Sequence, residues 1–284
     1  MKKILIVYEK SKKIGSGHYF RSLRLFKKLK KFFYVSFFEI KKKNFLKKKL
    51  LNDYDLYILD LKKYPKLNTN KKIILFENLG SKIKNSININ PLDIHLENSG
   101  PEFFIFPDFI KKIKYKINFD KNKIIKILII QGADDSNNKI FKLVNFLEKN
   151  KKKIKFKFKL IIKTLNKTTL KVKKPHKEIN KVNNMKNILK DVNIAISSVG
   201  NTAFELGYVG VPTIHFTIEK REIKRSILFE KRNLAKFVHK DLNLIVKELN
   251  KIFFNDKYRK NLVKRRKSFF RKKNKIIKII KDAI

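Results

Sequence analysis

Cysteine is absent from the 284-residue chain. That excludes a disulfide framework and any thiolate metal site. No apolar run approaches the roughly 18 residues of a membrane span. The first such run, "ILIVY" at 4–8, is too short for a signal-peptide core and stops at Glu9, so a soluble cytoplasmic protein is expected. Glycine occurs only eight times and proline six. Where glycine is this rare, each one is expected where a side chain would not fit or where φ is positive. Acidic residues are also few, with 24 Asp+Glu against 72 Lys+Arg and a formal net charge of +48.

Lysine is spread over nearly every segment, together with Ile, Asn and Phe, all of which have AT-rich codons. Coding-sequence composition accounts for most of the charge. The remainder points to an anionic partner: nucleic acid, a membrane surface or a phosphorylated substrate. The basic residues form no compact motif with interleaved aromatics, so no specific nucleic-acid partner is expected. In every case the field attracts anions at low salt.

A hydrophobic fraction of 43% rules out disorder by composition, and the length suffices for two units with cores. Apolar β-branched runs at 3–9, 33–40, 55–61, 72–78 and 86–91 read as strands. Helical spacing follows the first run in "GHYFRSLRLFKKLKK", and "NFLKKKLLN" (44–52) reads as a short helix. The pattern restarts at 124. Strands are expected at 124–132, 156–164, 193–198 and 212–217, helices from 134, at 184–192 and at 200–210, and only helices beyond 222. This alternation implies parallel sheets with crossover helices. The charged segment 109–123 reads as the linker between two Rossmann-like parallel-sheet domains, 1–118 and 119–284, facing across a cleft.

Three strand-to-helix junctions carry the chemistry. "KKIGSGHYFRSL" (12–23) places Gly15, Gly17 and His18 after the first strand. A helix start at that edge offers free N–H groups to an anion. The spacing fits neither the dinucleotide fingerprint nor a Walker loop. His18 could act as general base, with Arg21 on the same helical face to hold an anion or to position it. The alternative is a tight turn with a capping histidine. In "LIIQGADDSNN" (128–138), Gly132 permits a turn and Asp134 either caps the helix or faces a ligand. In "ISSVGNTAFELGYVGVPTIHF" (196–216), Ser197 and Ser198 end a strand, and Gly200, Asn201 and Thr202 open a helix with Glu205 one turn in. Such a start suits a pyrophosphate, and the deeper carboxylate suits ribose hydroxyls. The alternative is an ordinary capped helix. No His/Asp/Glu pair shows metal-ligand spacing, so no metal is expected. His215 reads as structural. In the tail, apolar pairs at 262–263, 269–270 and 276–277 form one helical stripe, which either packs on the body or lies on an anionic membrane.

Taken together, "IGSGHYFRSL", "IIQGADDSN" and "AISSVGNTAFELGYVGVPTI" resemble the signatures of one family. "LYILDL", "ILFENLGSKIKNSININPL" and "NSGPEFFIFPDFI" resemble its strand-ending Asp, its E-N-L-G stretch and its G-P-x-Y/F-F segment. The family joins the UDP-sugar hydrolase of pseudaminic acid biosynthesis with the spore-coat polysaccharide proteins (the PseG/SpsG type), and is GT-B-like. The resemblance implies a cytoplasmic, cofactor-free monomer acting on a UDP-sugar. It implies hydrolysis of a UDP-2,4-diacetamido-2,4,6-trideoxyhexose with inversion, or, on the same fold, transfer of the sugar to an acceptor. In that picture His18 activates or orients the attacking water, Gly17 and Arg21 shape the loop around it, and Gly132, Ser198, Gly200, Asn201, Thr202 and Glu205 hold UDP. Gln131 replaces the first of the family's two glycines, and Phe204 looks like the spore-coat branch.

Overall fold

The structure is a computed structural model, and it describes residues 1–10, 17–40, 53–64, 69–78, 80, 83–116, 119–131, 139–163, 175–179, 185–217 and 219–284. The helix expected at 44–52 lies outside these residues, as do Gly15, Gly132 and Asp134.

The chain forms two compact units, Met1–Pro107 with Lys272–Ile284, and Asp108–Arg271. The first holds five parallel strands: β1 (Lys3–Tyr8), β2 (Tyr34–Glu39), β3 (Leu56–Asp60), β4 (Lys72–Phe76) and β5 (Ser86–Ile89). Their order is β2-β1-β3-β4-β5. β1 and β3 are central, and their Ile, Leu and Val residues bury on both faces, as a covered parallel sheet requires. On one face Ile4, Ile6, Leu56 and Ile58 meet Leu25 and Leu29 of α1 (Gly17–Leu29).

The second unit holds six parallel strands: β6 (Ile125–Ile130), β7 (Phe158–Lys163), β8 (Lys177–Ile179), β9 (Ile194–Ser197), β10 (Thr213–Phe216) and β11 (Lys236–Val238). Their order is β11-β10-β9-β6-β7-β8. One face packs on α3 (Lys139–Lys149) and α7 (Asn243–Phe254). The other packs on α2 (Asp108–Lys111), α4 (Met185–Asp191), α5 (Asn201–Val209) and α8 (Asp256–Phe270). α6 (Lys220–Lys231) lies between β10 and β11 in sequence.

The structure differs from the sequence expectations in four places. β8 and β11 were not anticipated, because "KEI" and "KFV" are three-residue, lysine-bearing edge strands with no apolar run to signal them. The segment 109–123 is not a free linker. Ile110, Ile113 and Tyr115 are buried in the second unit, and the Tyr115 hydroxyl donates to the Asn193 carbonyl at 2.5 Å. The tail is two helices rather than one. α8 buries Leu262, Val263 and Phe270, the chain leaves the helix at Arg271, and α9 (Ile276–Asp282) buries Ile276 and Ile280 in the first unit. Asn274 fixes that return by donating to the Phe104 carbonyl at 3.0 Å. Most of the apolar stripe is therefore spent in packing.

Glycine, finally, is not always constrained. Gly210 ends α5 at φ +92, and a Cβ on Gly207 would sit 2.3 Å from the Phe270 ring, but among the described residues Gly200 has nothing within 4 Å of such a Cβ. Since that ring is fully buried, Gly207→Ala is expected to destabilise the second unit by about 1–3 kcal/mol. Urea unfolding of the variant beside wild type measures this.

Candidate active site

In open parallel sheets, ligands bind beyond the carboxyl ends of the strands, where the strand order reverses. The first sheet reverses between β1 and β3, since the chain runs from β1 out to β2 and returns to the opposite side of β1. α1 starts beside the end of β1, and β3 ends on Asp60, in register with Tyr8 of β1. His18, Arg21 and Ser22 stand at positions i, i+3 and i+4 of α1 and share one face.

All three converge on Asp60. His18 Nδ1 lies 2.5 Å from Oδ1, Arg21 Nη2 2.5 Å from the same oxygen, Arg21 Nε 2.7 Å from Oδ2, and Ser22 Oγ 3.1 Å from Oδ2. The carboxylate is fully buried and accepts from four donors. Burial alone would favour its neutral form, but Arg21 and His18 outweigh this and hold its pKa down at about 2. An ionised carboxylate only accepts hydrogen bonds, so His18 Nδ1 carries the proton and the lone pair sits on Nε2. The His18 side chain is 20% exposed, so the ring is neither locked in the core nor free in water. Arg21 is 5% exposed and grips Asp60 with two donors. Its cationic form is strengthened by Asp60 and Glu77 against the cost of burial. It therefore positions the carboxylate rather than waiting for an anion.

The second sheet reverses between β6 and β9. Ser197 ends β9 in register with Ile130 of β6, and the Ser198 amide donates to the Ile130 carbonyl at 3.3 Å. Gly200 precedes α5 in extended conformation, and among the described residues no side chain caps the helix. Asn201 and Thr202 are half-buried in its first turn, and Glu205 is buried one turn in. The structure thus brings Ser197, Ser198, Gly200, Asn201, Thr202 and Glu205 to one sheet edge, and separately brings Gly17, His18 and Arg21 to the edge of the other sheet. His215 joins neither group. It is fully buried, and burial together with Arg266 pushes it well below its ordinary pKa. Among the described residues, no group of three His, Cys, Asp or Glu side chains could hold a metal ion, and no helix is long and apolar enough to cross a membrane.

Two residues lay outside the sequence-derived site. Asp60 was visible as a strand-ending acid, and its place beside His18 follows only from the pairing of β1 with β3. Gln131 was a departure from the family pattern. Its amide is buried at the end of β6, and among the described residues neither its nitrogen nor its oxygen has a hydrogen-bond partner, nor has the Ser197 hydroxyl at the end of β9. Buried polar groups without partners are costly and mark a place where something else can bind.

No protein-family model and no curated protein sequence matches the chain. Solved structures match it over its whole length. MurG of Acinetobacter baumannii is similar with a TM-score of 0.68 at 10% identity, covering 100% of this chain and 99% of that one. The glycosyltransferase SnogD from Streptomyces nogalater gives 0.65 at 9% identity, covering 100% and 99%. A co-structure of S. aureus MnaA with UDP gives 0.63 at 11% identity, covering 99% and 95%. The fold is therefore that of the GT-B glycosyltransferases, two parallel-sheet α/β units in one chain.

The buried carboxylate ties stability to pH. An unfolded Asp takes up its proton near pH 4, whereas folded Asp60 resists until about 2. Its contribution, on the order of 2 kcal/mol, is present above pH 4 and lost as pH falls towards 2. Asp60→Asn, which takes from buried Arg21 the carboxylate that two of its donors grip, is expected to cost about 3–5 kcal/mol at pH 7 and to flatten the acid dependence between pH 5 and 2. Urea midpoints across that range measure both effects.

Proposed function

We propose that the chain is a nucleotide-sugar enzyme of the PseG/SpsG type. It releases UDP from a UDP-2,4-diacetamido-2,4,6-trideoxyhexose in nonulosonic acid or surface-polysaccharide synthesis. The observation that carries this reading is the 2.5 Å contact between His18 Nδ1 and Asp60, which leaves Nε2 as the basic nitrogen. In this reading Nε2 takes a proton from water as the oxygen attacks the anomeric carbon, and the bond to the UDP phosphate oxygen breaks with inversion. Asp60 balances the imidazolium that forms, and Arg21 and Ser22 hold Asp60. The uncapped start of α5 takes the pyrophosphate, with Ser198, Gly200, Asn201 and Thr202 around it and Glu205 on the ribose. Negative charge on the departing oxygen is favoured at such a helix end. The open space over Gly200 and the unmet hydrogen bonds of Gln131 and Ser197 support a ligand at that edge.

The second reading is an inverting glycosyltransferase, in which an acceptor hydroxyl replaces water at Nε2. The similarity to the glycosyltransferase SnogD and Phe204 beside Glu205 favour it. Incubation of enzyme with UDP-sugar alone separates the two, since free sugar and UDP form without an acceptor only in the first.

His18→Ala is expected to lower turnover by about 10²–10⁴-fold while leaving UDP binding, read by thermal shift, nearly unchanged. Unchanged turnover removes His18 from the reaction.

A further inference from the structure

β4 ends beside β3, and the residue that follows it, Glu77, has a backbone conformation that glutamate rarely adopts, with φ +59. Glycine, asparagine or aspartate would enter this left-handed region more easily. The side chain shows what holds it there. It is buried, one oxygen accepts from the Leu92 amide at 2.9 Å, and the same oxygen lies 3.7 Å from Arg21 Nη1. Arg21 thus stands between two carboxylates. Its Nε and Nη2 engage Asp60, its Nη1 faces Glu77, and its guanidinium lies 5.5 Å from the centre of the Phe76 ring.

The charged and titratable groups around His18 are Arg21 on α1, Asp60 at the end of β3, Tyr64 in the β3–β4 connection and Glu77 after β4. Tyr64 is half-buried and donates to the Phe76 carbonyl, and desolvation and Asp60 push its ionisation up, so it stays neutral. Arg21 Nη2 stands only 3.4 Å from His18 Nδ1, so the guanidinium faces the ring as Asp60 does. One carboxylate only offsets that cation. With Glu77 as the second carboxylate, Arg21, Asp60 and Glu77 together present a net negative charge beside the imidazole.

We infer that Glu77 is a positioning residue for His18, acting through Arg21: it supplies the second negative charge that offsets the guanidinium and leaves Asp60 free to support the imidazole. The inference rests on the reading of His18 as the base, and its test needs no substrate.

The test is acylation by diethyl pyrocarbonate, which attacks the bare imidazole nitrogen, followed at His18 by peptide mass spectrometry. The exposed His95 of the same unit serves as internal control. Glu77→Gln keeps an oxygen for the Leu92 amide but removes the charge. Glu77→Asp keeps the charge and suits the left-handed backbone, but is shorter. If the charge matters, His18 reacts about threefold more slowly on the alkaline plateau in Glu77→Gln and close to wild type in Glu77→Asp, with His95 unchanged in both. If Glu77 only pins Leu92, the order reverses. A Glu77→Gln rate equal to wild type, or a Glu77→Asp rate as slow as the expected loss, overturns the assignment, and the Asp variant decides alone if the Gln chain does not fold. Absence of UDP-sugar turnover in wild type defeats the proposed reaction but not this result.

Discussion

The buried pair of Arg21 and Asp60 constrains everything around it. Removing two such ions from water costs several kcal/mol each, and only near-ideal geometry with saturated hydrogen bonds repays the cost. The chain meets that demand with one helix face. Arg21 supplies two donors and Ser22 a third, and His18, one turn earlier, completes the shell of Asp60. A helix so anchored has one allowed rotation over the sheet, which also puts Leu25 and Leu29 into the core. The side chains that stabilise the unit and those that orient the imidazole are the same.

The second unit solves its switch point differently. There the described residues leave the sheet edge unsaturated. Among them Gln131 and Ser197 carry buried polar atoms without partners, and α5 begins without a side-chain cap. Each orphaned group costs about 1–3 kcal/mol. Tolerating several at one edge is consistent with a surface completed by a ligand, whereas at the first edge Asp60 is saturated by the chain's own donors. The two edges thus suit the two parts of the proposed reaction, a mobile anionic leaving group and a fixed base.

Much of the fold was legible because parallel strands buried on both faces read as unbroken apolar runs, as in "KILIVY" and "IKILII". The elements that escaped notice carry no such run. β8 and β11 are edges, where lysine is tolerated and three residues suffice. The 109–123 segment hides three anchoring apolar residues among lysines, so charge density alone misled. In the tail the seven-residue period continues across a helix break at 271–275, and periodicity carries no information on which unit each half packs against. At the site, His18 and Arg21 were legible from their spacing. Asp60 and Glu77 stood in two of the matched motifs, but their place beside Arg21 was not legible, because it depends on strand order, which no local pattern encodes.

The central claim is that an ionised, buried Asp60 fixes which nitrogen of His18 is free. Long-range ¹H–¹⁵N correlation on histidine-labelled protein reads this directly. In the neutral ring the account predicts a protonated Nδ1 and a bare Nε2 for His18, with the preference lost in Asp60→Asn. A neutral His18 that carries its proton on Nε2 in the wild-type protein would contradict it.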